Sequence, residues 1–340
     1  MESVTPARIM EVGMAFWPAK TLLSAIEVGV FTTLGSRALT GPELQSALGL
    51  HDRANPDFFD ALVALRFLER DGDGPAGRYR NAQDTGLFLD RASPAYVGGF
   101  LEMANARLYP FWGGLTTALR TGQAQNETSR GGASLFETLY SSPERLEQFM
   151  AAMAGISAGN FQAFANTFDF SRYTTLCDIG GSTGQLSLMV ARAHPQMRCI
   201  SADLPAVTAI AARRIAATEV ADRVSAQPLD FFAEPLPRAD VITMGMVLHD
   251  WNLEKKRFLV KAAYEALPPG GALVAIENVI DDARRANAFG LMMSLNMLIE
   301  FGDAFDFTGA DFARWCAEAG FTRTEVLHLS GPASAAVAYK

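Results

Sequence analysis

His249 follows directly on the mainly apolar run 241–248, in the order His249-Asp250-Trp251, and a second apolar run, 272–276, ends at Glu277. Both runs read as buried strands, and ligands of open α/β sheets bind at the carboxyl ends of such strands. An imidazole has an ordinary pKa suited to removing a proton near neutral pH. A carboxylate arriving at the same sheet edge can orient that imidazole and stabilise its protonated form. The pair therefore reads as a general base with a supporting acid. A metal held by His249, Asp250 and Glu277 is disfavoured, because two of the three are adjacent and the chain has no His-x-x-x-His pair or cysteine cluster. No metal is expected.

Upstream, the run 175–179 carries Asp178 and turns through Gly180, Gly181 and Gly184 into a stretch of small and apolar residues. Glycines let the backbone come close to a ligand, and Asp178 can meet a cationic ligand group that a phosphate-binding loop would not favour. Ser182 stands where the second glycine of Gly-x-Gly-x-x-Gly would be, which weakens a dinucleotide reading. The next run, 198–202, ends in Asp203-Leu204, where a carboxylate can accept from both hydroxyls of a ribose. A third, 224–229, ends in Asp230-Phe231-Phe232, an acceptor for an exocyclic amine beside an aromatic wall. Asp often caps a following helix, so each alone says little. Three successive strand ends with Asp, after a glycine turn, point to an adenosine-bearing cofactor held without a phosphate clamp. S-adenosylmethionine fits that description better than NAD.

The elements that must hold these residues alternate strand and helix through the second half. A helix is expected over 287–300 and another over 311–319 with Gly320 as its stop. Strands over 324–329 and 333–339, joined by Ser330-Gly331-Pro332, suggest an antiparallel pair at the end. The result is an α/β, doubly wound sheet of seven strands. The first half reads as mainly helical, with helices over 18–30, from about 40, and over 55–70, then strand-like residues 78–80, a winged-helix outline. A DNA-binding regulator would need a basic recognition helix, and Asn55, Asp57, Asp60, Ala61 and Ala64 do not make one. A dimerisation scaffold is favoured instead. We expect residues 1–165 to form this helical and lid region and residues 166–340 the cofactor-binding domain. Met150, Met153 and Phe161, with Met293, Asn296 and Met297 from the later helix, could roof an acceptor pocket, although such spacing is also that of a packed core.

Taken together, the Asp-x-Gly-Gly-x-x-Gly turn, Asp203-Leu204-Pro205, Asp230-Phe231-Phe232, His249-Asp250-Trp251, the 267–271 Leu-Pro-Pro-Gly-Gly turn and Glu277 resemble the small-molecule O-methyltransferases of the caffeic acid and hydroxyindole type, including bacterial antibiotic-tailoring members. The resemblance extends over essentially the whole chain. It implies a Rossmann-like class I methyltransferase sheet, an intertwined dimer made by the winged-helix-like module, and S-adenosylmethionine turning into S-adenosylhomocysteine. By it, His249 takes the proton of the acceptor hydroxyl and Glu277 is one of two flanking acids. Asp203 binds the ribose, Phe231 and Trp251 pack on the adenine, and Asp178, Gly180, Gly181, Gly184, Leu204, Asp230 and Met244 complete the cofactor site. Ser157 would reach the methionyl carboxylate. The family's second acid belongs to a Glu-Arg-Thr run; here Asp306-Phe307-Thr308 stands in its place, with a shorter acid and no arginine. Two other functions stay open. A sulfur or nitrogen acceptor would leave His249 to position or polarise, with Glu300, Asp303 and Asp306 favouring a developing sulfonium. A ligand-sensing regulator would use the winged module on DNA.

The 340 residues are enough for two domains and a large core, with 49% apolar residues and a net charge of −8. That acidity argues against a nucleic-acid surface. Cys177, Cys199 and Cys316 are few, odd in number and set in apolar runs, as reduced thiols of a cytosolic protein are. The first residues lack a basic region followed by a long apolar run, and no stretch has the length and purity of a membrane span. The expected partners are a small-molecule acceptor and a second copy of the chain, in the cytoplasm, without nucleic acid or membrane.

Overall fold

Thr40 opens the helix Gly41–Leu48 with a capping box: its side chain accepts from the backbone of Glu43, and the Glu43 carboxylate accepts from the Thr40 backbone N–H. Helix Phe16–Glu27 precedes it, and Val30–Leu34 follows after Gly29 in the left-handed conformation. The expected single helix over 18–30 is thus two. Helix Asp57–Ala64 is shorter than the 55–70 expected, because Arg66 takes a φ of 65° and the chain leaves as a strand. That strand, β2 (Leu68–Asp71), pairs antiparallel with β3 (Arg78–Asn81), which also pairs with β1 (Leu39–Thr40). The apolar spacing continues through Phe67 and Leu68, so it hides the change of element. Ile26, Phe31, Leu34, Leu44, Phe59, Leu62, Leu68 and Tyr79 form one core among these helices and the small sheet. This is a winged-helix arrangement.

The computed structural model describes residues 4–132 and 142–340. They fall into two compact units, Met1–Pro110 and Phe111–Lys340. The boundary expected at 165/166 falls within helix Pro143–Thr167 of the second unit. That helix packs on helix Gln185–Ala193 and on strand β9 (Arg323–Ser330), so it is built into the sheet domain.

The second unit is built on seven strands. Beside β9 they are β4 (Thr175–Ile179), β5 (Arg198–Asp203), β6 (Val224–Pro228), β7 (Val241–Gly245), β8 (Ala272–Glu277) and β10 (Ala333–Tyr339). Their order is β6-β5-β4-β7-β8-β10-β9; the first five pair parallel, and β10 runs antiparallel between β8 and β9. Every residue of β8 is buried, as a parallel strand covered on both faces requires. Two apolar cores flank the sheet, one holding Ile179, Leu248, Leu273 and Trp315, the other Phe164, Leu186, Val241 and Val274. The chain reverses direction of winding between β4 and β7, so their carboxyl ends form the crevice where the glycine turn and His249 meet.

Candidate active site

β7 ends at Gly245, and the chain passes through Met246 at a φ of 55° into the short turn Leu248–Asp250. This left-handed step at a non-glycine residue puts His249 back against the sheet edge, where it is 5% exposed. Glu277, at the end of β8, fixes the turn: its Oε1 accepts from the backbone N–H of Val247 at 3.1 Å and of Leu248 at 3.0 Å. Its other oxygen lies 4.0 Å from Nδ1 of His249. Glu277 therefore acts on the imidazole through charge more than through a direct bond.

Asp306 reaches the same nitrogen, with Oδ1 3.5 Å from Nδ1. The extended chain after β8 explains how. Ile280 donates to the carbonyl of Phe307 at 2.9 Å and bridges Thr308 in parallel, drawing residues 306–308 along the strand end. Ser294 Oγ accepts from the Asp306 N–H, and Thr308 caps helix Gly309–Ala319 with its own box to Asp311. Asp306 is thus both the approach to a capped helix and a buried neighbour of the imidazole. Phe307, in the arginine's place, packs between Phe312 and Trp315. A third acid, Asp250, places Oδ1 3.2 Å from Nε2.

Burial alone would lower the pKa of His249, but the charges of Glu277 and Asp250, with the bond and charge of Asp306, carry it up to about 10. Glu277 is pushed up to about 7 by burial, with Asp306 and Asp250 adding to the shift and His249 opposing it. One donor atom from each of His249, Glu277 and Asp306 lies within 4.8 Å of the others, and a proton on Nδ1 suits the space between them.

On the cofactor side, Gly180 and Gly184 hold φ values of 70° and 75°. A Cβ on Gly180 would sit 2.7 Å from Val247 Cγ2, and one on Gly181 2.3 Å from Ser201 Oγ, so neither position admits a side chain. Asp178 is buried under this turn, accepting from Thr243 Oγ1 at 2.7 Å across paired strands, and burial raises it to about 7. Asp203 accepts from the backbone of Ser182 at 2.9 Å and of Leu204 at 2.7 Å, which fixes a partly exposed carboxylate at the end of β5. Leu204 then caps helix Pro205–Ala216. Asp230 is exposed and accepts from Phe232 N–H at 3.0 Å. Phe231, Phe232 and Trp251 form an edge-to-face aromatic wall, with Phe231 and Trp251 centroids 6.2 Å apart. The buried Trp251 Nε1 has no hydrogen-bond partner among the described residues. A tight glycine turn, a fixed carboxylate, an aromatic wall and an orphan indole N–H suit an adenosine-bearing donor. Met244 is wholly buried in the core of β7.

Phe161 stands over the end of β7: a Cβ on Gly245 would be 2.9 Å from its ring. Ser157 and Met153, both half-buried, sit one and two turns before it on the same helix face. Met150 lies further along and packs with Leu146, Val207 and Ile210, as a core side chain does. Helix Ala288–Phe301 approaches the His249 turn closely. Gly290 lets the first turn of this helix lie against the chain just after β8, since a Cβ there would meet the Asn278 carbonyl at 2.4 Å. On that helix Met293 is half-buried and Met297 buried, while Asn296 Oδ1 accepts from Trp112 Nε1 at 2.9 Å.

Three features escaped the sequence reading: Asp250 as a direct partner of the imidazole, Thr243 beneath Asp178, and a wholly buried lysine, Lys256. Lys256 had a signal. It shares the spacing of Leu259, Val260 and Ala263, the buried face of helix Leu253–Ala266.

Comparisons with known proteins show the family and the fold. The family model for the O-methyltransferase domain matches residues 112–322. The tetracenomycin polyketide synthesis 8-O-methyl transferase TcmO of Streptomyces glaucescens is 38% identical over 98% of this chain and 97% of its own. The N,N-dimethyltransferase OxyT of Streptomyces rimosus is 35% identical over 92% of this chain and 90% of its own. Human N-acetylserotonin methyltransferase, solved in complex with S-adenosylmethionine, superposes with a TM-score of 0.90 at 27% identity, covering 100% of this chain and 99% of the other. The chain therefore belongs to the O-methyltransferase family of the hydroxyindole and caffeic acid type, and it is an S-adenosylmethionine-dependent O-methyltransferase of small molecules.

Proposed function

We propose that His249 is the general base of this enzyme and that its acceptor is a phenolic hydroxyl on a polyketide-type aromatic compound. The observation that carries the first half is the buried imidazole set among Asp250, Glu277 and Asp306 at the carboxyl ends of β7 and β8. The second half is supported by the 38% identity, over nearly the full length, to a polyketide-synthesis O-methyltransferase.

S-adenosylmethionine, when bound, supplies an electrophilic methyl group on a cationic sulfur. Asp178, Gly180, Gly181, Gly184, Asp203, Leu204, Asp230, Phe231, Met244, Trp251 and Ser157 are the residues assigned to hold it. A cationic amino group would favour the charged form of Asp178, which burial now disfavours. Phe161, Met153, Met293, Asn296 and Met297 would flank the acceptor, with Met150 behind them. The Nε2 contact with Asp250 is the one the acceptor hydroxyl must replace. When the methyl group is transferred to the acceptor oxygen, Nε2 would receive the hydroxyl proton, and Glu277 and Asp306 would stabilise the resulting imidazolium. The surrounding acids favour the protonated imidazole that the transfer produces. Holding donor and acceptor in line and excluding water supplies much of the remaining rate.

The test is His249→Ala: turnover should fall by roughly 100-fold or more while S-adenosylmethionine still binds. Full activity in that variant would refute base catalysis by His249. A nitrogen acceptor is the second reading, favoured by the 35% identical relative named an N,N-dimethyltransferase. Methylation of amines but not phenols by the purified enzyme would select it.

The proposal also includes a homodimer assembled through the first unit, supported by its exposed apolar Ile9, Val12, Phe16 and Trp17. The first unit would then serve dimerisation, and the second would carry the cofactor site and the base. Cytosolic residence is supported by three free, buried cysteines. Among the described residues, no helix is long and apolar enough to cross a membrane.

A further inference from the structure

Lys256 has no solvent exposure. Burying an ammonium is costly unless it is paired and hydrogen-bonded, so its surroundings should explain it. Its Nζ donates to the carbonyl of Trp251 and stands 3.7 Å from the centroid of the Phe305 ring. Trp251 closes the turn that carries His249 and Asp250; Phe305 immediately precedes Asp306. One ammonium therefore touches both segments that bring acids to the imidazole. The carboxylates facing it are Glu277 from β8, Asp306 and Asp303 from the chain after helix Ala288–Phe301, and Asp250 from the turn itself. His249 is held by Glu277, Asp250 and Asp306, three of the same four. The two cations thus share Glu277, Asp306 and Asp250.

We propose that Lys256 is a positioning residue: its ammonium ties the turn 249–251 to the segment 305–306, and its charge offsets part of the field that keeps the proton on His249. The proposal rests on His249 as base. Without this cation the acids would act on the imidazole alone, and the base would be freed only at higher pH. Burial lowers the pKa of Lys256 itself, and the facing acids oppose that shift.

The test compares pH profiles of kcat/KM at saturating S-adenosylmethionine for wild type, Lys256→Met and Lys256→Arg. In Lys256→Met the acid limb should move up by about half to one unit, read as roughly threefold to tenfold lower activity at a fixed pH on the limb. Lys256→Arg keeps the charge and should keep the limb. A Lys256→Met enzyme with lower melting temperature and lower kcat but an unmoved limb would overturn the proposal, since that is what a packing role alone gives. If Lys256→Met does not fold, the wild type decides. The 15N resonances of labelled His249, assigned with His249→Gln, should show a second inflection as the lysine loses its proton. A single-step titration blind to the lysine would overturn the proposal. Should His249→Gln stay fully active while that second inflection is present, the base assignment fails and the coupling stands.

Discussion

Glu277 divides its work between its two oxygens, and that division makes a clean substitution available. Oε1 holds the backbone of Val247 and Leu248, while Oε2 supplies charge near Nδ1. Glu277→Gln keeps a backbone acceptor and removes the charge. Burial favours neutral imidazole and the carboxylate favours imidazolium, so losing the carboxylate must lower the pKa of His249 from about 10. The acid limb of the pH–rate profile should move to lower pH, by about one unit or more; movement the other way, or none, would count against the charge assignment. Glu277→Ala also strands buried N–H groups, each worth about 1–3 kcal/mol, and should lower the melting temperature as well. His249 and Glu277 were legible as chemistry-bearing residues from their places at strand ends, whereas Asp306 came only through the family resemblance. The direct Asp250 contact was not, because it depends on the left-handed step at Met246, which nothing in the residue type announces.

Close approach between elements sets the next constraints. Gly180→Ala introduces a side chain at a φ of 70° and 2.7 Å from Val247, the residue whose N–H Glu277 holds. Cofactor affinity should fall by about tenfold or more in calorimetry, with helix content unchanged by circular dichroism, given a strain of about 1–3 kcal/mol. Unchanged affinity would mean the turn does not bear on the cofactor. Gly245→Ala pushes on Phe161 at 2.9 Å, so the acceptor KM should rise while S-adenosylmethionine binding stays the same. Equal changes in both would show that Phe161 supports the whole strand end rather than the acceptor side. The parallel strands were readable because their runs stop at Gly, Pro, Asp or Glu, and the final hairpin because Ser330-Gly331-Pro332 interrupts two alternating runs. The end of helix Asp57–Ala64 was not readable, since apolar spacing carries on into β2 and only the backbone of Arg66 marks the break.

Across the full chain, motif order in the second half was enough to indicate the sheet and its cofactor, and the comparisons agree. The extent of the units was less legible. Residues 143–165 were expected with the helical and lid region, and helix Pro143–Thr167 contacts helix Gln185–Ala193 and β9 of the sheet unit. The exposed apolar residues of the first unit lead to an expected mass near twice the 36.7 kDa chain in light scattering at micromolar concentration. A chain mass of one copy would remove the dimer from the account.

The most direct test follows a labelled methyl group from S-adenosylmethionine to paired panels of phenols and thioethers, with wild type beside His249→Ala. The account predicts a phenol ether made by the wild type and lost by roughly 100-fold or more in the variant, whose S-adenosylmethionine affinity is unchanged. Transfer to a thioether, or to a phenol at the same rate without His249, would contradict it.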